Sequence, residues 1–419
     1  MNILFVFGWP MRIGGHYRSG IALMKYLKSL GHCLYTMAPD AVKEVTYVLE
    51  NEGIHFIPFP EVSYHELLAI SGVFRVVRIC KKFSIDVIHS QDIQSACPGH
   101  LAAIVLKRGF VYTKAGGPPN KFSQPNHVES VYYSQELVDA MTQMYATKNN
   151  NVSLVKARID TETYKPAPVS SDFMKKYDLP TKGQKIVIAM RFVEQKRPWI
   201  RTLLQFIEYM CREDNNEIQL IVAGEGPLLS EFKRHSYRVI SDNKSRNFVH
   251  IIGPLFDPND MVQLYNYSHL VLGSGRGILE AMACKKPVVV LGEKGEGETV
   301  SPNSFQIIEK YNFSGRHFRY QQCQDYNLPI FLKHLLRCNK KLDELASFSY
   351  EYIKNHMDAR IGAKQLDRIY RKASTYENSL VDYITWYARL NWQEITTPLR
   401  NRLFLRTKNQ VNSTSILPE

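Results

Sequence analysis

The chain has 419 residues, 44% of them hydrophobic and 22% charged, with a formal net charge of +13. The apolar share is ample for packed cores and excludes a chain disordered throughout, and the length allows two or three domains at about 150 residues each. The positive balance favours anionic partners, whether nucleotides, nucleic acid or an acidic membrane surface, without choosing among them. Seven cysteines (Cys33, Cys80, Cys97, Cys211, Cys284, Cys323, Cys338) are scattered with no CxxC pair. That argues against a disulfide framework or structural zinc and suits a reducing, cytoplasmic setting. There is no HExxH and no His/Cys cluster at metal spacing. Met1–Phe7 is apolar but reads as too short for a secretory signal. No run of about 20 apolar residues predicts a spanning helix, so any membrane contact is expected to be peripheral.

In chain order, Ile3–Phe7 reads as a buried strand. Gly14-Gly15 follows, then a helix with Ile21, Met24, Leu27 and Leu30 near the 3.6-residue spacing, stopped by Gly31. Strands are predicted at Cys33–Ala38, Ile54–Pro58, Asp86–His89, Phe110–Thr113, Val131–Ser134 and Val152–Val155. Helices are predicted at Leu67–Lys81, Ser95–Leu106 and Gln135–Tyr145. Strands alternating with helices imply parallel pairing in a doubly wound sheet. Lys165–Pro168 breaks the pattern, and a polar stretch to Gln184 reads as a linker.

A second alternation begins at Lys185–Met190. Its further strands are Ile218–Ala223, Phe248–Ile252, His269–Leu272 and Val288–Leu291. Its helices are Pro198–Cys211, one after Pro227, Met261–Tyr267 and Ile278–Cys284. Beyond about Pro329 the chain reads as mainly helical. The expected organisation is therefore a first Rossmann-like domain over 1–165, a linker over 166–184, a second such domain over 185–360 and a helical extension with a flexible tail over 361–419. In such sheets ligands sit beyond the carboxyl ends of the strands, here in the cleft between the domains.

Three segments carry chemistry. Ala189–Arg197 ends a strand at Arg191 and puts Lys196 just before a helix. Arg offers planar paired donors to phosphate oxygens, Lys offers a mobile charge, and a helix N-terminus adds N–H groups. A solvated basic loop is the plain alternative. Gly224–Pro227 follows a strand, where Gly224 and Gly226 permit a close backbone approach to a ligand or simply make a tight turn. In Gly273–Ala283, Gly275 and Arg276 open a helix whose N-terminus can face a phosphate, and Glu280 can accept ribose hydroxyls. Neither glycine cluster has the GxGxxG spacing after a domain's first strand, which disfavours a dehydrogenase.

Taken together, these segments resemble family 4 of the retaining GT-B glycosyltransferases (group 1), in order over roughly residues 1–290. Gly14-Gly15 resembles its first-domain glycine loop, Ser134–Leu137 its serine-glutamate segment and Ile159–Pro166 its linker motif. Arg191 and Lys196 fall at its diphosphate-binding Arg and Lys. Glu280–Ala283, with Pro287–Val289, resembles its nucleotide-binding helix and following strand. The resemblance implies a nucleoside diphosphate sugar as substrate, with no metal or other cofactor, and transfer that retains anomeric configuration. Arg191 and Lys196 would hold the diphosphate, Glu280 the ribose, and Gly15 would let backbone approach the donor phosphates. Gly224, Gly226, Gly275 and Arg276 complete the expected donor site.

The departures are also specific. The family usually carries a glutamate eight positions before the one at Glu280, where this chain has Leu272. It often has a histidine after the fifth strand, where Lys114 stands as the candidate catalytic substitute. The linker has Ala157-Arg158 in place of Asn-Gly. His89 and His100 read as structural rather than catalytic, and Glu293, Glu296 and Glu298 as a loop. Leu380, Tyr383, Ile384, Tyr387 and Leu390 form a helical apolar stripe with Trp386 and Trp392 beside it. Arg389, Arg400, Arg402, Arg406 and Lys408 add charge. The stripe either packs back onto the domains or meets an anionic bilayer.

The expected partners are a nucleotide-sugar, a glycan or lipid-linked acceptor and the membrane face, not nucleic acid. The expected pathway is surface-polysaccharide or glycoconjugate synthesis. A non-catalytic sugar-nucleotide-binding subunit and a sugar-nucleotide epimerase are the competing readings.

Overall fold

A computed structural model of the chain describes residues 1–12, 14–59, 70–117, 119, 124–144, 151–156, 158–213, 217–320, 327–375 and 378–392. The ends of the helices predicted at Leu67–Lys81 and Gln135–Tyr145, Ala157 of the linker motif, Cys323, and the tail cations Arg400, Arg402, Arg406 and Lys408 lie outside the described residues.

The first half alternates strand and helix except at β5 and β6, which follow one another: β1 (Asn2–Val6), α1 (Gly15–Ser29), β2 (Cys33–Ala38), α2 (Lys43–Asn51), β3 (His55–Pro58), α3 (Ile70–Lys82), β4 (Val87–Ser90), α4 (Ile93–Leu106), β5 (Gly109–Lys114), β6 (Glu129–Tyr132), α5 (Gln135–Met144) and β7 (Asn151–Leu154). These strands form one parallel sheet in the order β3-β2-β1-β4-β5-β6-β7. The central strands are buried on both faces, which is why they read as continuous apolar runs rather than alternating ones.

The second half contains α6 (Ser171–Lys176), β8 (Gln184–Arg191), α7 (Arg197–Arg212), β9 (Ile218–Glu225), α8 (Leu229–Asp242), β10 (Val249–Gly253), α9 (Pro258–Tyr267), β11 (Leu270–Gly273), α10 (Arg276–Ala283), β12 (Val288–Leu291), β13 (Gly297–Thr299), α11 (Phe305–Lys310), α12 (Leu328–Leu336), α13 (Asn339–His356) and α14 (Ala359–Ala373). Its sheet runs β10-β9-β8-β11-β12-β13, parallel except for β13, which pairs antiparallel with β12. In both sheets the order reverses beside the first strand, between β1 and β4 and between β8 and β11. Each sheet thus opens a crevice at the carboxyl ends of its strands.

Several places differ from the sequence reading, among them α11, for which no element was expected. Helix α2 was not foreseen, because only Leu49 of its nine residues is buried and so thin a stripe leaves little periodic signal. The stretch read as linker contains α6, and its Phe173, with Leu179 just beyond, sits in a core of the second domain. The loop holding Glu298 folds into the edge strand β13. The helical extension does not stand apart either. Ala359, Ala363, Leu366, Tyr370 and Ala373 of α14 pack into the same core as Ile3 and Phe5 of β1 and Leu23 and Leu27 of α1. A further helix over 380–392 packs Tyr383, Trp386 and Leu390 on the opposite face of that sheet, beside Leu4 and Val6.

The chain therefore crosses between domains twice, and the two crossings are paired. The Ile159 N–H donates to the Met357 carbonyl at 2.9 Å, and the Ala359 N–H donates to the Ile159 carbonyl at 2.8 Å.

Candidate active site at the interdomain cleft

Arg191 is the last residue of β8 and is exposed where the strand leaves the sheet. Its position depends on two glycines. A Cβ on Gly224 (φ +143°) would fall 1.8 Å from the Met190 carbonyl oxygen, and one on Gly226 (φ +138°) 2.5 Å from that of Phe192. A side chain at either would push β9 away from β8, so in the structure these glycines serve backbone packing beneath Arg191.

A 3₁₀ turn over Glu194–Lys196 then brings Lys196 to the head of α7. Its Nζ lies 3.1 Å above the Trp199 ring, and the Trp199 indole N–H donates to the Gly292 carbonyl at 2.6 Å, which fixes that ring. Burial, then the nearby Arg191 guanidinium, lowers the Lys196 ammonium to about 8 against an opposing pull from Glu293. Two cations that repel one another at the head of a helix are relieved by an anion between them.

Across the cleft stands the first turn of α1. The Tyr17 phenol is pushed up to about 12 by burial and by Asp92, with Arg191 and Arg12 acting against the rise. Tyr17 therefore lies within electrostatic reach of Arg191. Gly15 opens α1, and a Cβ there would fall 2.9 Å from the Cβ of Arg276 on α10. This glycine lets the two domains touch.

Gly275, at φ +64°, caps α10 and donates its N–H to the Phe313 carbonyl at 2.6 Å. Arg276 is not turned toward open space. Its Nε donates to Glu280 Oε1 at 2.7 Å, and its Nη1 donates to Ser19 Oγ at 3.0 Å and to the Arg158 carbonyl at 2.7 Å. Glu280 is 1% exposed. Its second oxygen accepts from Arg18 Nη1 at 3.2 Å and from the Tyr265 hydroxyl at 3.3 Å. Arg158 lies under Arg276, with its guanidinium 4.8 Å over the Tyr133 ring, and burial followed by Arg276 lowers it to about 10. Three guanidiniums thus gather about one carboxylate at the domain boundary, and two of the residues expected to contact the donor, Arg276 and Glu280, are engaged in holding the domains together.

Beside this cluster lies a cavity of about 930 Å³. It is bounded by α1 and α2 on one side and by the β10–α9 connection and α6 on the other. Arg18, Tyr164, Phe256 and Arg276 are among its walls. Its size is that of a small-molecule site.

The remaining candidates are placed as follows. Lys114 ends β5, half-buried, and is lowered to about 8 by burial and then by Arg316 of the second domain. Arg316 itself forks onto Glu136 of α5 across the cleft, with Nε to Oε2 at 2.9 Å. His89 is buried, bonded to Tyr370 and Thr113 at 2.7 Å each, and burial lowers it to about 3. His100 is equally buried, its ring against Phe110 and Tyr383. Both rings are buried in the first domain. Glu293 pairs with Arg319 at 2.6 Å and Glu298 with His317 at 3.1 Å, both within the second domain.

Leu272 is a core residue of β11, so no acid stands at that position. Asp257 caps α9 and Asp260 accepts from Lys176 and Tyr177, so neither replaces it. Among the described residues there is no group of three or more His, Cys, Asp or Glu able to hold a metal, and the six described cysteines are free. No described helix is long and apolar enough to cross a membrane.

Sequence reasoning missed Arg18, Tyr265 and Trp199. Trp199, three residues after Lys196 on the same helical face, carried a weak signal. Arg18 and Tyr265 carried none, since their importance comes from a partner far away in the chain.

Residues 169–315 match the family model described as glycosyl transferases group 1. No curated protein matches the chain in sequence. A glycosyltransferase from Rickettsia africae superposes with a TM-score of 0.65 at 18% identity, covering 89% of this chain and 98% of that one. Anabaena HepE, in complex with UDP and glucose, gives 0.62 at 17%, covering 88% and 98%. WaaG, a glycosyltransferase involved in lipopolysaccharide biosynthesis, gives 0.61 at 12%, covering 88% and 99%. The two facing doubly wound domains, the helices that return to the first of them and these likenesses give the chain the GT-B fold, and residues 169–315, largely within its second domain, are similar to group 1 glycosyl transferases.

Proposed function

We propose that the protein transfers a hexose-type sugar from a nucleoside diphosphate to a glycan or lipid-linked acceptor with retention of configuration, as a family 4 enzyme of surface-polysaccharide or glycoconjugate synthesis. The observation that carries this is the pair Arg191 and Lys196, converging at the carboxyl end of β8 against the first turn of α1. The donor's diphosphate lies on this pair, and its nucleoside extends into the neighbouring cavity, where Glu280 serves the ribose. UDP is the first base to try, because HepE was crystallised with it.

As the bond from the anomeric carbon to phosphate oxygen breaks, charge grows on the leaving diphosphate. Arg191 and protonated Lys196, already in position, stabilise it without reorganisation. Lys114 acts from the facing domain near the sugar. Trp9, 52% exposed on the loop after β1, offers an aromatic face to the acceptor. The helix over 380–392 buries one side and leaves Leu380, Val381, Ile384 and Trp392 exposed, and we assign that side to peripheral contact with the cytoplasmic membrane face.

Leu272 in the core favours a second reading, a sugar-nucleotide-binding subunit without turnover, since the usual acid is missing there. Calorimetric titration with UDP, GDP, ADP and CMP tests the site. One nucleotide is expected to bind at micromolar strength and to lose at least tenfold (about 1.4 kcal/mol) in an Arg191→Ala/Lys196→Ala double variant. A folded protein that binds none of the four would sink the assignment. Product analysis with the bound donor then separates transfer from the subunit reading. For the membrane, flotation with vesicles containing phosphatidylglycerol is expected to carry the wild type but much less of a Val381→Ser/Ile384→Ser/Trp392→Ser variant. Equal flotation of both, or of neither, would refute the contact.

A further inference from the structure

Glu280 is the carboxylate on which the ribose reading rests, yet it is closed to any ligand in the structure. Its two oxygens are held differently. Oε1 accepts from Arg276 Nε at 2.7 Å, and the rest of that guanidinium is anchored to Ser19 and to the Arg158 backbone. Arg276 is buried and has no slack. Oε2 has longer bonds, to Arg18 at 3.2 Å and to Tyr265 at 3.3 Å. The Arg18 side chain is 20% exposed against 1% for Glu280, and Arg18 lines the 930 Å³ cavity. Tyr164 also lines the cavity and bonds to Glu280, but it is a neutral phenol; the charged part of the barrier between cavity and carboxylate is Arg18, a long, partly solvated side chain whose charge-assisted bond is at the weak end of the length range.

We infer that Arg18 is a positioning residue that occupies the place of a ribose hydroxyl on Glu280 Oε2 and must leave when a nucleotide enters. Its guanidinium N–H donates to the oxygen that a 2′- or 3′-hydroxyl would use, so Arg18 and the sugar compete for one acceptor. Arg276 keeps the carboxylate oriented throughout, which allows Arg18 to depart without leaving a buried charge unpaired. Because the Glu280 contact joins α1 of the first domain to α10 of the second, nucleotide entry also releases one tie between the domains. Arg18 lowers apparent affinity by the fraction of time it holds the site.

This rests on the ribose reading of Glu280, so the test separates the two. UDP and 2′,3′-dideoxy-UDP are titrated into wild type, Arg18→Met and Glu280→Gln, with the melting temperature of each recorded. Arg18→Met keeps most of the side chain's bulk and removes the competing donor. It is expected to bind UDP about three- to tenfold more tightly than wild type while melting lower. It should gain nothing for the dideoxy analogue, which has no hydroxyl to use the freed oxygen. A purely structural arginine would lower affinity and melting temperature together. Glu280→Gln is expected to weaken UDP and to leave the dideoxy analogue nearly unchanged.

If Arg18→Met binds UDP no better than wild type while Glu280→Gln weakens it, the competition is refuted and the ribose contact stands. If Glu280→Gln leaves UDP unaffected, the ribose contact fails and the role of Arg18 falls with it. An equal gain for both nucleotides in Arg18→Met would also overturn the proposal, since the effect would then be electrostatic and independent of the hydroxyls.

Discussion

Two clusters of charge meet at the cleft, and they are satisfied to very different degrees. At the head of α7, Arg191 is exposed, and Lys196 has an aromatic ring and a like charge for neighbours, with Glu293 as a partial counter-charge. At the head of α10, Arg276 and Glu280 are buried, bonded to each other and bonded across the domain boundary. A cluster short of counter-charge gains by taking up an anion. A completed cluster loses whenever any member is removed or diverted. This contrast supports the proposed diphosphate site at the first cluster, while the second holds the architecture and, as we infer, yields only at its outer bond.

The strongest way to break this contrast is Arg276→Met. It would remove the shortest bond to buried Glu280 and leave only the longer ones to Arg18 and Tyr265, and breaking a buried ion pair in this way costs about 3–5 kcal/mol in stability. Chemical denaturation measures it directly. A change under about 1 kcal/mol would mean that the cluster is wet or loosely held and is not the tie described above.

Next comes turnover. The Arg191→Ala/Lys196→Ala variant should keep wild-type stability and lose about 10²–10³ in kcat once an acceptor is known, in line with removing preorganised stabilisation of a leaving anion. A large fall in melting temperature instead would show this pair to be structural as well and erase the distinction.

The smallest effect is that of pH. Lys196 titrates near 8 in the free protein and must be protonated to pair with a diphosphate. Binding above pH 8 therefore takes up a proton. Nucleotide affinity should be flat below that pH and fall by up to about tenfold per unit above it, each unit being about 1.4 kcal/mol. Lys196→Gln should reduce the slope. Lys114, also near 8, supplies whatever slope persists, which sharpens the comparison between the two faces of the cleft.

Much of the architecture was readable in one dimension because it is set by near neighbours. Strand β12 was placed at Val288–Leu291 and β2 at Cys33–Ala38, since both are apolar runs bounded by turn residues. The glycines between Gly273 and Gly277 marked the approach to α10, read from Ile278 and observed from Arg276, with Gly275 at its cap in the left-handed region that other residues avoid. The strand end at Arg191 and the helix start just after Lys196 were legible for a similar reason, while spacing alone left a solvated basic loop as the alternative to a phosphate site.

What the sequence by itself determined, then, was two alternations of strand and helix and the cations between them, through short-range periodicity and backbone preference. Only the tertiary structure decided that α14 belongs to the first domain, since an apolar stripe says that a helix packs but not against what. Only it decided that Arg18 meets Glu280 across 262 residues of chain, or that Arg276 reaches the Arg158 backbone across 118. Such contacts have no local signature, because they are made by the docking of two finished surfaces. The same residue types in solvent would have been ordinary charges; enclosed between two domains, they become a tie with one bond loose enough for a ligand to take.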